Sequence, residues 1–376
     1  MQSKELFIIF SSQEYATANH LEFWKEIAKN KKDTDVLIID IFADMIVSRI
    51  RNKKYRITDH KAGIKKIENN LFVFRPMTFL RIEALPGGMK DFAMKSVLKQ
   101  IKDVIDNFDI RKKTILYYDC RLSESLRVFG EDCKKIYFIY DEVYLNASTG
   151  KEIKGLKKLD YLSCLNADLI LTMTEIIASR REEFHNKLVV LGNGASLSDK
   201  NSNTIKFKNA VGFIGNFRNW IDIELLEYLI VQKSTYTFCF AGPIESNMNE
   251  KFRHLLNNYS NTVYLGNIPK KHVKSIYTMV DIVIVPYKRN EHIQSTRPIK
   301  IVESIFNHTP VVTVPMDGYV ENSFIQFAEN KKEFVDKIDI FMNHKVDFNT
   351  EEFHSFLKEN SWKSKVNLLI EKLEEI

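Results

Sequence analysis

Residues 281–314 read DIVIVPYKRNEHIQSTRPIKIVESIFNHTPVVTV, and this stretch indicates the fold more clearly than any other. It begins and ends with short apolar runs, DIVIVP and PVVTV. Such runs, bounded by turn residues, are typical of strands that are buried on both faces of a parallel sheet. Between them, Ile299, Val302 and Ile305 recur at the spacing of an amphipathic helix. The order of strand, helix and strand predicts an α/β fold with a doubly wound parallel sheet.

The same alternation extends along the chain on both sides of this stretch. The segment 196–209 is rich in Ser, Asn and Lys, and we interpret it as an interdomain linker. The chain is thus predicted to contain two successive Rossmann-like units of similar size, followed by helices at 331–343 and 351–375. Further apolar runs predict strands at 6–10, 36–41, 71–74, 114–118, 136–140, 168–173, 188–191, 210–214, 236–241 and 262–265.

Length and composition favour a two-domain cytoplasmic protein. A chain of 376 residues is long enough for two domains. No apolar run reaches the roughly 18 residues of a transmembrane helix, and the run at 6–10 is too short for a signal peptide. The four cysteines are scattered, and no C-x-x-C pair suggests a zinc site or a disulfide framework.

The net charge of +6 is unevenly distributed. The segment from Arg49 to Lys66 is strongly basic, and it is either a solvated surface or a site for an acidic partner. Residues 78–94 then mix apolar side chains such as Phe92 with further cations. An anionic membrane surface fits both segments, and such docking would make this cytoplasmic protein peripheral on the inner face of the cell membrane. The alternative for residues 78–94 is a lid or a core helix. No nucleic-acid recognition motif is present, and we expect no nucleic-acid partner.

Three loops follow predicted strands at the edge where doubly wound sheets bind ligands. The first reads GFIGNFRN, in which Gly215 lets a ligand approach the backbone and Arg218 can pair with a phosphate. The other two contain Gly242, in AGP, and Gly266, in LGNIP. None has the G-x-G-x-x-G pattern of a nicotinamide site, and each is also compatible with an ordinary turn.

The sequence STRPIKIVES begins the helix of the opening stretch. Pro298 suits the first turn of a helix, and Thr296 suits the N-cap. Arg297, Lys300 and Glu303 are three residues apart and therefore lie near one face of that helix. Two cations at a helix N-terminus suit a diphosphate, and a carboxylate one turn further suits ribose hydroxyls. The plainer alternative is a surface pair of Lys300 and Glu303.

In order and spacing, these motifs resemble the signature of GT-B glycosyltransferases. The resemblance covers about residues 135–370, and it is strongest to the polysaccharide-building transferases of bacterial envelopes, such as the teichuronic-acid and capsule types. It implies two Rossmann-like domains that face each other across a cleft, 1–197 for the acceptor and 208–345 for the donor. It also implies that C-terminal helices in 346–376 return toward the first domain. The matching stretches are 166–174, 193–194, 212–222, 281–286, 297–303, 309–312 and 360–362.

The resemblance implies that the protein transfers a sugar from a nucleotide-sugar donor to a hydroxyl of a glycan or lipid-linked acceptor in envelope or capsule synthesis. Glu303 would hold the donor ribose, Lys300 and Arg297 would neutralise the diphosphate, and Gly266 and Ile268 would border the base. Similar enzymes neutralise the leaving group with side chains and helix dipoles, so we expect no metal and no cofactor. The implied donor-binding set is Gly215, Asn216, Arg218, Gly242, Gly266, Ile268, Arg297, Pro298, Lys300 and Glu303.

A catalytic base would come from the first domain, across the cleft. Asp141 and Glu142 follow the strand at 136–140, and His20 flanks the loop after the first strand. We rank Asp141 first because the family often carries an acidic residue after this strand.

Several alternatives stay open at this point. Asp119 and Glu14 are further candidates for the base. Many retaining members of the family carry a glutamate where this chain has Ser295, and the sequence does not decide between inverting and retaining chemistry. A nucleotide-sugar epimerase of the same fold and a non-catalytic scaffold are the alternative functions.

Overall fold

The structure is a computed structural model. Three predicted features lie partly outside the described residues. These are the basic segment at 49–66, of which 49–62 are not described, the segment at 78–94, of which 79–86 are not described, and the linker, of which 198–205 are not described. The described residues are 5–15, 18–40, 43–44, 63–78, 87–108, 110, 112–130, 132–197 and 206–376.

The amino-terminal domain alternates strands and helices, as the apolar runs predicted. Its elements are β1 (Glu5–Phe10), α1 (Leu21–Asn30), β2 (Thr34–Ile39), β3 (Ala43–Asp44), β4 (Gly63–Glu68), β5 (Leu71–Arg75), β6 (Met77–Thr78), α2 (Gly87–Ile105), β7 (Lys112–Tyr117), β8 (Cys133–Ile139), α3 (Leu156–Asn166), β9 (Leu169–Thr172), α4 (Glu175–Ser179) and β10 (Leu188–Val190).

Eight of these described strands form one sheet in the order β10-β9-β8-β7-β1-β2-β5-β4. Neighbours are parallel except β4, which runs antiparallel to β5 at the edge. The chain leaves β1 toward β2 on one side and later adds β7 on the other side. The carboxyl end of β1 is therefore a switch point, where such sheets bind ligands.

The carboxyl-terminal domain repeats this plan with a second sheet. Its order is β13-β12-β11-β14-β15-β16, and all of these neighbours are parallel. Here the switch point lies between β11 and β14. The elements are β11 (Ala210–Ile214), α5 (Ile223–Gln232), β12 (Thr237–Ala241), α6 (Asn249–Asn258), β13 (Thr262–Tyr264), α7 (Lys270–Tyr277), β14 (Ile282–Val285), α8 (Glu291–Gln294), α9 (Ile299–Phe306), β15 (Val311–Thr313), β16 (Ile325–Phe327), α10 (Lys331–Asn343), α11 (Glu351–Glu359) and α12 (Trp362–Glu374).

The chain end crosses from the second domain back to the first. Phe353 of α11 is buried in the core of the second domain, whereas Trp362 of α12 is buried in the core of the first. The predicted single helix at 351–375 is wrong, because Asn360 ends α11 and the Ser361 hydroxyl caps α12. The break lets Asn360 and Trp362 pair with the backbone of Ala195, at 2.9 and 3.2 Å.

The predicted fold class, two doubly wound α/β domains with a returning C-terminal helix, is confirmed. Two further local expectations are wrong. The apolar spacing of Val97, Ile101, Val104 and Ile105 predicts a helix at 97–108, whereas helix α2 begins at Gly87 and ends at Ile105. Thr296 is not the N-cap of α9, because Pro298 takes that position in an extended conformation and the helix starts at Ile299. Four strands were not predicted: the exposed edge strand β4 and the short strands β3, β6 and β16.

Candidate active site

A cleft of about 860 Å³ lies between the two domains. The first domain contributes residues that follow β1 and β8, and the second contributes the loops after β11, β12 and β13 together with α7, α8 and α9. Both carboxyl edges therefore face one cavity. The expected donor residues that line it are Gly215, Asn216, Arg218, Gly242, Ile268, Arg297, Pro298, Lys300 and Glu303; of the ranked base candidates, Asp141 lines it.

Two glycines form a tightly packed part of the cleft wall. Gly215 and Gly242 have φ of 147° and 127°, which L side chains rarely adopt. A Cβ at Gly215 would collide with the Lys300 Nζ, and one at Gly242 would collide with the Gly215 carbonyl. Gly266, which does not line the cleft, accepts a hydrogen bond from the Gly242 N–H at 2.8 Å. The Lys300 ammonium thus occupies the space beside Gly215 that a side chain would fill.

Lys300 lies in this wall without an anionic partner among the described residues. Its Nζ is 4.1 Å from the centre of the Phe213 ring and 5.2 Å from that of Tyr287. Burial lowers the pKa of Lys300 to about 7, although the Glu303 carboxylate opposes this shift. A bound anion would favour the charged form, so the arrangement suits a diphosphate.

Glu303 lies one turn further along α9, and its Oε2 accepts a hydrogen bond of 3.0 Å from the Tyr277 hydroxyl. Burial raises the pKa of Glu303, while Lys270 and Lys274 act in the opposite direction. Lys270 donates to the carbonyl of Ala18 in the first domain. The Glu303 carboxylate is held at one oxygen by Tyr277, and it lies beside the lysines that connect the domains.

Arg297 lines the cleft, and its guanidinium is also held by neutral groups of the protein. Its Nη1 donates to the Gly318 carbonyl at 2.5 Å and its Nη2 to the Asn360 Oδ1 at 2.6 Å. The guanidinium lies over the Tyr319 ring, at 4.7 Å from its centre. The carbonyl of Arg297 accepts a hydrogen bond from Asn193. The residue therefore connects the first domain, the second domain and the returning chain end. Its Nε is buried and has no hydrogen-bond partner among the described residues, so its contact with a diphosphate stays a prediction.

Arg218 and Asn216 lie on the loop after β11. The Arg218 Nε is 3.0 Å from the Glu245 Oε1, and its guanidinium lies 5.1 Å from the Trp220 ring centre. Asn216 is exposed. Arg218 is therefore already paired, and Trp220, which sequence reasoning did not single out, lines the cleft beside it.

Asp141 faces these groups from the other domain. Its carboxylate has no hydrogen-bond or ion-pair partner among the described residues. Burial raises the pKa of Asp141 to about 7, and the neighbouring charge of Glu142 adds to the shift. A carboxyl group with a pKa near neutrality can both accept and release a proton at physiological pH.

Glu142, the second candidate for the base, is held in a buried charge network. Its carboxylate is 2.8 Å from the Arg180 Nη1 and 2.6 Å from the Arg181 Nη2. Arg181 also pairs with Asp160 at 2.7 Å. Glu142 does not line the cleft. Its candidacy as a base is therefore wrong, because both oxygens neutralise arginines.

His20, the third candidate, is buried under the cleft rather than in it. Its ring stacks on Tyr118 and Phe138 at 5.3 and 5.4 Å, and Tyr140 and Trp362 meet it edge-on. Burial lowers the pKa of His20 to about 3, so the imidazole is neutral. This aromatic packing contradicts its selection as a base in contact with substrate.

The fold and the cleft together define a protein of the GT-B type, with a candidate nucleotide site in its second domain. Residues 208–344 match the family model described as Glycosyl transferases group 1. A Bacillus subtilis (strain 168) protein that carries the name teichuronic acid biosynthesis glycosyltransferase TuaH is 24% identical over 166 residues. That match covers 43% of this chain and 42% of the relative, so the chain matches less than half of the relative's length.

Solved structures resemble the whole chain. Sucrose-phosphate synthase from Thermosynechococcus elongatus has a TM-score of 0.76 at 10% identity, over 99% of this chain and 98% of that one. HepE of Anabaena, solved in complex with UDP and glucose, has a TM-score of 0.67 at 13% identity, over 100% of both chains. At such identities the likeness shows the fold. Together with the family match over residues 208–344, it confirms the resemblance to GT-B glycosyltransferases, and the match to TuaH supports the envelope-polysaccharide type.

Proposed function

We propose that this protein transfers a sugar from a nucleotide-sugar donor to a hydroxyl of a glycan or lipid-linked acceptor during bacterial envelope or capsule polysaccharide synthesis. The observation that carries the proposal is the cleft itself. Lys300, a cation with no anionic partner in the part of the chain that the structure describes, lies against the backbone of Gly215. The carboxylate of Glu303 is one turn away, and that of Asp141 lies across the cleft. The family match over the second domain supports the assignment of the donor to that side.

The donor half supplies the stabilisation of the leaving group. As the bond between the sugar C1 and the diphosphate oxygen breaks, its electron pair stays on the diphosphate. The ammonium of Lys300 neutralises this charge, and preorganised charge of this kind is effective in a cleft that excludes water. Glu303 offers its second oxygen to a ribose hydroxyl. No metal is needed for this step in our proposal, so activity should be unaffected by a chelator such as EDTA.

The acceptor half supplies the proton transfer. The acceptor hydroxyl bonds to C1 and loses its proton, and we assign this proton to the Asp141 carboxylate. A positioned general base typically contributes on the order of 10²–10⁴-fold. Asp141→Asn should therefore reduce kcat by that factor while the donor still binds.

The test is release of nucleoside diphosphate from UDP-, GDP-, dTDP- and ADP-sugars, with and without lipid extract of Bacillus subtilis membranes as the acceptor source. Release that requires the extract and is lost in Asp141→Asn supports transfer. Conversion of the donor sugar to its epimer without an acceptor would indicate an epimerase. Donor binding without turnover of any kind would indicate a scaffold.

We further propose that the first domain docks on an anionic membrane surface at the cytoplasmic face. Ile64, Met77, Met89 and Phe92 are exposed apolar side chains on β4, β6 and the first turns of α2, and Phe92 is 77% exposed. The exposed lysines Lys65, Lys66 and Lys95 lie in the same elements. No described helix combines the length and the apolar character that a membrane-crossing helix needs.

Flotation with liposomes tests this surface. The protein should float with vesicles that contain phosphatidylglycerol and not with pure phosphatidylcholine, and Phe92→Ser should weaken the binding. Val320→Ser is the matched control, because Val320 is 79% exposed on the second domain. Equal binding of both variants would remove this surface from the proposal.

A further inference from the structure

His292 is a polar side chain in the cleft that no role above uses. It belongs to the short helix α8, lines the cleft, and is only 8% exposed. Its Nδ1 is buried and has no hydrogen-bond partner among the described residues. A buried nitrogen without a partner carries a desolvation cost, which a ligand with a matching polar group would remove.

The neighbouring hydroxyls do not compete for such a ligand. The Ser295 hydroxyl donates to the His292 carbonyl at 2.9 Å, and the Thr296 hydroxyl donates to the Ile293 carbonyl at 2.8 Å. Both side chains are buried and directed back to α8. Among the residues of α8, His292 is therefore the polar one that lines the cleft.

The imidazole also lies close to the proposed reaction centre. It is near enough to the backbone of Glu142 for a hydrogen bond to affect its pKa, and Glu142 directly follows Asp141. Burial lowers the pKa of His292 and the charge of Arg180 adds to this effect, while the charge and the backbone of Glu142 oppose it. A neutral ring suits a hydroxyl, which can donate or accept, better than it suits a diphosphate.

We infer that the Nδ1 of His292 binds a hydroxyl group of the transferred sugar and so helps to select that sugar. This inference rests on the proposed function. It differs from the donor set described above because it concerns the sugar rather than the nucleoside or the diphosphate. Lys300 and Glu303 account for those two parts on α9.

Two substitutions separate the two ring nitrogens. An Asn side chain puts an amide group near the position of Nδ1, whereas a Gln side chain puts it near that of Nε2. We would measure calorimetric affinities of wild type, His292→Asn and His292→Gln for UDP against UDP-glucose and UDP-N-acetylglucosamine, and for GDP against GDP-mannose. His354→Ala, at an exposed position of α11, is the control.

His292→Gln should weaken the best nucleotide sugar by on the order of 5–100-fold and leave the matching diphosphate within about twofold. His292→Asn should retain most of the affinity. Equal losses for sugar and diphosphate, or no loss in His292→Gln, would overturn the inference and leave the proposed function standing. Failure of UDP, GDP, CMP, ADP and dTDP, free and sugar-linked, all to bind the wild type would instead contradict the proposed function, and the inference with it.

Discussion

Asp141 and Lys300 are the residues on which the chemistry of the cleft depends. They lie on opposite domains, and burial brings the pKa of each to about 7, from below for the carboxyl group and from above for the ammonium. Desolvation penalises the charged form of both groups. The pair can therefore exist with both charges, one charge or none within a narrow range of pH.

This pairing predicts a narrow bell-shaped pH profile for kcat/KM. Below about pH 7 Asp141 is protonated and cannot accept a proton, and above about pH 7 free Lys300 loses the charge that binds the diphosphate. Initial rates measured from about pH 5.5 to about pH 9 cover the acid and alkaline limbs, because this range extends about one and a half pH units or more beyond a pKa of about 7 in each direction. Lys300→Arg should remove the alkaline limb alone, and a wild-type profile that is flat across this range would contradict the assignment.

A second prediction concerns the contact between Gly215 and Lys300. Gly215→Ala should displace the ammonium and weaken nucleotide binding by about tenfold or more, besides a backbone cost on the order of 1–3 kcal/mol. Gly130→Ala is the matched control, because Gly130 has φ of 98° and no atom within 4 Å of an added Cβ. Urea unfolding should show similar losses of stability in the two variants. Calorimetry should show weaker nucleotide binding in Gly215→Ala alone. An equal change of affinity in both variants would count against the contact.

At the scale of single residues, the sequence predicted which kinds of side chain line the cleft better than it predicted what each side chain does there. Arg297, Glu142 and His20 were selected for their position in the chain, and each is held by residues that are distant in sequence. Arg297 binds Asn360, and His20 packs on Trp362. The spacing of residues within one motif cannot predict contacts between residues that are this far apart in the sequence. His292 was overlooked because a lone histidine in a strand-to-helix loop carries no motif.

At the scale of the elements, the position of α9 determines the donor site. Because Pro298 is the N-cap, Lys300 falls in the first turn and Glu303 in the second, next to the switch point of the sheet. The apolar runs predicted most of the buried strands. They could not predict β4, because its side chains are mostly exposed. They also could not predict that α2 begins at Gly87, because the amphipathic pattern is weak at the start of this helix.

Helix α12 is anchored in the first domain by Trp362. A Cβ on Gly194 would lie 2.7 Å from the Trp362 ring, and Trp362 is 3% exposed in the core of the first domain. Trp362→Ala should therefore lower the free energy of unfolding by about 3–5 kcal/mol. Urea denaturation measures this, with Ile340→Ala at an exposed position as the control. A loss similar to that of the control would mean that α12 is not part of the folding unit of the first domain.

At the scale of the whole molecule, several polar contacts connect the two domains, and those of Lys270 and Lys274 lie near Glu303. Lys274 of α7 pairs with Glu22 of α1 at 2.8 Å, and Lys270 reaches the Ala18 carbonyl. Both lysines act electrostatically on Glu303. Donor binding and domain closure are therefore expected to be linked, as hinge closure around a ligand generally is.

A charge reversal tests this link. Lys274→Glu should place two carboxylates together and increase the radius of gyration measured by small-angle scattering without a donor. Adding Glu22→Lys should restore the pair and the compact profile. Identical profiles for wild type, the single variant and the double variant would show that the Lys274–Glu22 pair does not hold the domains together.

The central claim is that a nucleotide sugar binds to the second domain through Glu303 and Lys300. The most direct measurement is a thermal-shift and calorimetric screen of UDP, GDP, CMP, ADP and dTDP, free and sugar-linked, on wild type, Glu303→Gln and the exposed control Glu371→Gln. A ligand at 100 times its dissociation constant should stabilise the wild type by about 2.7 kcal/mol. One nucleotide should do so; Glu371→Gln should behave as wild type, and Glu303→Gln should lose most of the shift. Equal shifts in all three proteins, or no shift with any nucleotide, would contradict it.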